Sequence, residues 1–249
     1  MPIRDLVKHI IVHVDASSAG QDRLRFAASL AQRFAAYLTG IGEPEEPVLE
    51  QTFADAIEAR ALGGEWIGAT GSIEEFVAHR AHAADLVIVG QYEPGFPNSL
   101  EKPEEVILNS GRPVLVMPSS KPVAHVGENV IVAWNDSREA ALAVEGALPL
   151  MMDASPVTIV SVNPEAEADW EVGGDLVRQF ARHGLRARAE TIADNGRPPA
   201  GLVCARAASD RTDLIVMGAY GHSRVREMVL GGMTRDMLAE MPVPLLMAH

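Results

Sequence analysis

The chain has 249 residues, 47% of them hydrophobic, with 21 Lys and Arg against 34 Asp and Glu and a formal net charge of −13. That much apolar material excludes wholesale disorder and suffices for one large domain or two of modest size. An acidic chain with no dense Lys/Arg run is not suited to non-specific contact with nucleic acid or anionic membrane, and no apolar stretch reaches the length of a membrane span.

The opening "MPIRDLVKHIIVHVDAS" does not read as a signal peptide, because its apolar run is short and a charge follows at once. The single cysteine, Cys204, excludes an internal disulfide framework and suits a reducing cytoplasm. From His9, "HIIVHVDASSAGQDRLRFAASLA" gives an apolar β-branched run, a short polar turn and a helix-like stretch. "EPEEP", Glu43 to Pro47, reads as a solvated acidic loop. "HRAHAADLVIVG" predicts a third helix and fourth strand, and "GRPVLVMPS" a fifth strand. The polar stretch "SSKPVAHVGE", Ser119 to Glu128, then marks a boundary.

Beyond it the order repeats. "NVIVAW" predicts a buried strand, with Asp136 or Ser137 capping the helix that follows. "PVTIVSV" is a second strand, and "DLVRQFARHG" a helix that ends at Gly184, with Leu176 and Phe180 on one face. "LRARAETI" alternates like a strand with one open face. "PPAGLVCARAAS" opens a helix on prolines. "DLIVMGA" is a fourth strand, "REMVLGGMTRDMLAEM" a helix and "VPLLMA" a fifth strand. The copies start at His9 and Asn129, and their fourth strands at Asp85 and Asp213, so the pairing persists with a small drift, as duplication with insertions would leave it. Continuous apolar strands alternating with helices predict two α/β domains, residues 1–120 and 127–249, each a five-stranded parallel sheet covered on both faces.

In such sheets ligands sit at the carboxyl ends of strands where the strand order reverses. There "GAYGHSRVREMVLGGMTRDM" carries Gly218, Gly221, Gly231 and Gly232 in the pattern G-x2-G-x9-G-G. Glycines after a strand leave backbone N–H groups uncovered, and a helix start adds more, which together suit phosphate oxygens. A turn followed by a helix start explains the same glycines equally well. The pattern is neither GxGxxG nor a Walker motif.

These residues resemble the nucleotide loop of the universal stress protein family, G-x2-G-x9-G-(Ser/Thr). "VIVAWNDSREAA" and the endings "RPVLVMP" and "VPLLMAH" are similar to the family's first strand and closing strands, so the chain is identified as a tandem member whose second copy matches better. The resemblance implies a Rossmann-like fold of the adenine-nucleotide α-hydrolase type. It implies that Ala133, Trp134 and Asn135 border the adenosine, that the Val162 backbone reads adenine, and that Gly218, Gly221 and Gly231 hold phosphates, with Gly232, Met233 and Thr234 beside them. Asn135 stands where aspartate is usual, Asp136 where glycine is, and Gly232 where Ser or Thr is. His222 either reaches a phosphate or lines the rim.

The first copy departs further. Gly95 follows Gly90 by five positions. Pro103, near the place of the later glycine pair, has no N–H to offer, and Glu101, Glu104 and Glu105 repel phosphate. Asp15 keeps the first-strand acid. This half is expected to have lost nucleotide binding and to be a structural or partner-binding copy.

Other residues take plainer readings. His79 with His82, and His9 with His13, lack the further ligands of a metal site and read as solvated or capping histidines. Arg224, Arg226 and Arg235 either balance phosphate or cover a helix surface. Cys204 reads as core, and no G-x-S-x-G elbow supports a nucleophilic Ser18 or Ser137. The expected ligand is ATP, ADP or AMP, with or without Mg²⁺, in the second half, in a regulatory or protective stress role. No general base is identified, so at most slow ATP hydrolysis is expected. A nucleotide-independent protein-interaction module is the alternative. Family members pair through the last strand, which implies a pseudo-dimer within one chain and allows a homodimer of chains.

Overall fold

A computed structural model describes residues 6–92, 94, 100–162, 172–221 and 232–249. The chain divides into two compact units, Met1–His125 and Val126–His249.

The first unit runs β1 (His9–His13), α1 (Ser18–Phe34), β2 (Tyr37–Gly42), α2 (Pro47–Glu58), β3 (Gly64–Gly68), α3 (Ile73–Ala81), β4 (Leu86–Gly90), α4 (Pro103–Asn109) and β5 (Val114–Met117). Its strands are all parallel, in the order β3-β2-β1-β4-β5. The second unit runs β6 (Val130–Ala133), α5 (Arg138–Met151), β7 (Val157–Val162), α6 (Gly174–Arg182), β8 (Ala187–Ile192), α7 (Pro199–Ser209), β9 (Leu214–Gly218), α8 (Met233–Glu240) and β10 (Leu245–Ala248). Its strands are also parallel, in the order β8-β7-β6-β9-β10. Each unit therefore has the predicted five-stranded parallel sheet. In each, the chain winds to one side of the first strand and then crosses to the other, which places a crevice at the carboxyl ends of the first and fourth strands.

Strands buried on both faces need unbroken apolar runs, and Ile10 to Val12, Leu86 to Val89, Val130 to Val132 and Leu214 to Met217 are all buried. Helix starts follow local chemistry. The Ser17 and Ser137 side chains accept from the backbone N–H groups of Gly20 (2.8 Å) and Ala140 (3.1 Å), capping α1 and α5 at equivalent positions. Pro199 opens α7, and α6 ends ahead of Gly184 with φ 77°.

An aspartate ahead of the fourth strand ties down the start of the first strand in each unit. Asp85 Oδ2 accepts from the Lys8 and His9 N–H groups at 2.7 and 3.0 Å. Asp213 accepts from Gly127 at 2.8 Å, Glu128 at 3.0 Å and Asn129 at 3.1 Å.

The polar face of β8 is exposed at Arg186 and Arg188, as its alternation predicts. Arg188 and Glu190 also pair there with each other and with Arg206 and Asp210 of and just after α7, which alternation alone does not report. Among the described residues, no helix is long and apolar enough to cross a membrane.

Candidate functional site

At the crevice of the second unit, β6 ends at Ala133, whose register partners are Val160 of β7 and Met217 of β9. Trp134 continues the ladder, its N–H donating to Val160 O at 2.8 Å and its carbonyl accepting from the Ser161 hydroxyl at 2.9 Å. Asn135 is exposed, and its Oδ1 accepts from the Ser137 hydroxyl at 2.8 Å and the Ser137 N–H at 3.3 Å. This turn places Asp136 at φ 57° and starts α5. Val162 is the half-buried last residue of β7.

Gly218 ends β9 against the first turn of α5. A Cβ there would lie 2.5 Å from Ala140 N and 2.7 Å from Glu139 C. These are backbone atoms that cannot swing aside, so helix packing alone demands glycine at this position. Gly221 is exposed and adjoins the same turn: a Cβ on it would lie 2.8 Å from Glu139 Oε2 and 3.2 Å from Ser137 Oγ. Ala133, Trp134, Asn135, Gly218 and Gly221 thus surround the start of α5.

Gly232 caps α8 with no side-chain hydrogen bond, so among the described residues the first N–H groups of that helix, beginning at Met233, have no side-chain cap. Thr234 is 1% exposed, and its Oγ1 accepts from the Tyr220 N–H at 3.2 Å. It is therefore not simply a hydroxyl offered to a ligand: it fastens the loop after β9 onto α8. His222, Gly231, Arg224 and Arg226 lie outside the described residues, as does Gly95 of the first copy.

Sequence reading missed Glu139. Its carboxylate sits in the first turn of α5 beside Gly221 and adds negative charge to this corner. The available signal was its place two residues after the capping Ser137, a favourable position for an acid at a helix start.

The first unit repeats the turn and fills the space. Asp15 accepts from the Ser17 N–H at 2.9 Å and from the Ser17 hydroxyl, as Asn135 does from Ser137. Here, however, Arg23 donates to Asp15 Oδ2 at 2.6 Å and to the His13 carbonyl at 2.7 Å, and all three residues are buried. A Cβ on Gly90 would lie 2.3 Å from Arg23 Nη1, so the guanidinium occupies the end of β4. The cavity left beside Asp15, Arg23 and Gly90 is about 10 Å³, room for a single water at most and far too small for a nucleotide. The equivalent of Arg23 one repeat later is Ala143. Burial works to raise the Asp15 pKa, but the Arg23 charge, the Ser17 hydrogen bond and His13 outweigh it and hold the carboxyl below its ordinary range.

The remaining candidates are placed as follows. His13 is neither solvated nor a cap: it is buried, with Nδ1 3.4 Å from Arg23 Nη2. His9 bridges the Ala83 carbonyl and the Thr39 hydroxyl at 3.1 and 2.8 Å. His82 meets the Asn109 carbonyl at 3.1 Å, and its ring stands edge-on to that of His79. Cys204 is half-buried, 3.7 Å from Met237 Sδ, and burial followed by the Glu240 charge pushes its thiol up to about 11. Pro103 is the first residue of α4, where a missing N–H breaks no helical bond, and Glu104 and Glu105 occupy the first turn.

A family model for the universal stress protein family matches residues 128–249. Among solved structures, a universal stress protein from Archaeoglobus fulgidus aligns with a TM-score of 0.74 at 16% identity, covering 98% of this chain and 97% of its own. A functionally unknown protein from Pseudomonas aeruginosa aligns with a TM-score of 0.61 at 12% identity, over 98% and 92%. A universal stress protein in complex with cAMP aligns with a TM-score of 0.37 at 18% identity, over 46% of this chain and 99% of its own. A search of curated proteins finds no match. At these identities the structural likeness is one of fold, and the family assignment rests on the sequence model: residues 128–249 of this chain belong to the universal stress protein family.

Proposed function

We propose that the second unit binds ATP or a related adenine nucleotide at the crevice between Asn135 and α8, and that the first unit does not. The observation that carries this is the contrast between equivalent turns. Asp15 is buried under Arg23, whereas Asn135 is exposed and Ala143 stands where the arginine would be. Half-buried Trp134 and Val162 offer apolar surface for a base, Asn135 a polar edge for a ribose, and the uncapped start of α8 backbone donors for phosphate. Glu139 opposes a bare phosphate chain at this corner, so the reading favours a nucleotide whose charge Mg²⁺ has partly neutralised.

In this reading the chain is a cytoplasmic regulatory or protective protein of the stress response, with whole chains able to associate as homodimers. It is a nucleotide carrier rather than an enzyme. ATP titration by calorimetry is expected to give one equivalent per chain, abolished by Gly231→Val. Two equivalents would sink the one-site claim, and unaltered affinity in Gly231→Val would sink the phosphate cradle.

The second reading is a nucleotide-independent interaction module, favoured by the packing role of Gly218 and the internal bond of Thr234. Mass spectrometry of small molecules retained by the purified chain separates the two readings.

A further inference from the structure

The amino edge of the second sheet, opposite the crevice, holds a cavity of about 290 Å³ lined by Ile131, Pro156, Thr158, Arg188, Asp210 and Thr212, among other residues. Ile131, Thr158 and Arg188 are register partners across β6, β7 and β8, so their side chains stand side by side on one face of the sheet. Asp210 and Thr212, just past the end of α7, close the other side.

Two features mark this as a built site. First, Thr158 is 3% and Thr212 6% exposed, and neither hydroxyl has a hydrogen-bond partner among the described residues. A buried hydroxyl without a partner is costly, and both line the same space. Second, the charges at its rim already cancel. Arg188 pairs with Glu190 at 2.9 Å and lies 3.6 Å from Asp210, while Arg206 holds Glu190 at 2.7 Å and Asp210 at 2.8 Å. Two cations face two anions, so an added anion or cation meets a repelling partner beside each attracting one.

From this we propose that the cavity is a second ligand site, separate from the nucleotide crevice, for a small uncharged polyhydroxyl molecule the size of a pentose or cyclitol. Each ligand hydroxyl both donates and accepts, as the two threonines require. Arg188 supplies further donors and Asp210 Oδ1 an acceptor, while Ile131 and Pro156 meet the ligand's C–H face. The volume is at the lower end of small-molecule sites, roughly 300–1,000 Å³.

The test is a set of NMR titrations of the full chain with D-ribose and with myo-inositol, using inorganic phosphate and glycine as charged controls. The expected result is saturable shifts at Thr158, Arg188 and Thr212 with at least one of the two neutral probes and none with the controls. Thr158→Val and Thr212→Val, which keep the side-chain shape, are each expected to weaken binding about tenfold. Arg188→Gln, at an exposed rim position, is expected to weaken it as well. ATP binding by these variants is expected to stay at the wild-type level, so the outcome is independent of the nucleotide reading. Absence of saturable shifts with both neutral probes leaves a water-filled cavity and overturns the proposal. Binding of phosphate or glycine in their place, or affinities indifferent to all three substitutions, also overturns it.

Discussion

Arg23 donates to Asp15 across 2.6 Å with both side chains buried, and in doing so it occupies the end of β4 beside Gly90. One residue in the second turn of α1 thus fills the crevice of its own unit.

Removing that residue leaves a buried carboxylate without its counter-ion. Arg23→Ala is expected to destabilise the chain by about 3–5 kcal/mol, the usual cost of breaking a buried pair. Denaturant unfolding followed by circular dichroism checks this. A loss below about 1 kcal/mol would match an exposed pair instead and contradict the burial.

The pH dependence follows from the direction of the Asp15 shift. Its folded pKa lies below the ordinary 3.8, so its stabilising share is complete above the unfolded value. That share declines as pH falls through the lower folded value. Thermal melts between neutral and strongly acid pH are expected to show this decline in the wild type and a flatter acid limb in Asp15→Asn. Identical acid limbs in the two proteins would contradict the assignment.

Gly218→Ala is expected to lower stability by about 1–3 kcal/mol, because its Cβ must displace the backbone of Ala140 and Glu139. The loss is expected with or without nucleotide. A thermal midpoint equal to wild type in nucleotide-free protein would show that α5 does not pack against this glycine. For the same reason, weakened ATP binding in a Gly218 variant says little about phosphate contacts, and Gly231 is the better probe.

Glu139→Gln removes the carboxylate beside Gly221. If the second unit holds a nucleotide there, the variant should bind ATP more tightly than wild type in EDTA, with the gap narrowing in excess Mg²⁺. A rise of several-fold corresponds to about 1 kcal/mol. Equal affinities in EDTA would place the phosphates elsewhere.

Much of this architecture was legible in the residues. The runs around Ile10, Val87, Ile131 and Ile215 are continuous and apolar because parallel strands bury both faces, and Asp15 and Asn135 each precede a capping serine by two. What escaped reading depends on distance through space. Nothing local in "SAGQDRLRF" tells that Arg23 turns inward to Asp15 rather than outward to water. Gly218 looks like a ligand glycine because its neighbour in the fold, Ala140, lies 78 positions earlier in the chain. The cavity behind Thr158 arises from the alignment of three strands, and the histidine reading failed at His13 because a strand residue was judged without the helix that covers it.

The aspartate clasps bear on the order of synthesis. Asp85 reaches back 77 positions to Lys8, and Asp213 reaches back 86 to Gly127. On a ribosome, the opening strand of each unit can pair early with the second strand, but its other edge and its aspartate clasp stay open until the fourth strand has emerged, and closing so long a loop carries an entropic cost. Each unit must wait for its own aspartate, so the chain calls for two successive closures. A stall placed just before Asp85 or just before Asp213 would leave one edge of that apolar strand unpaired while the polypeptide is still tethered.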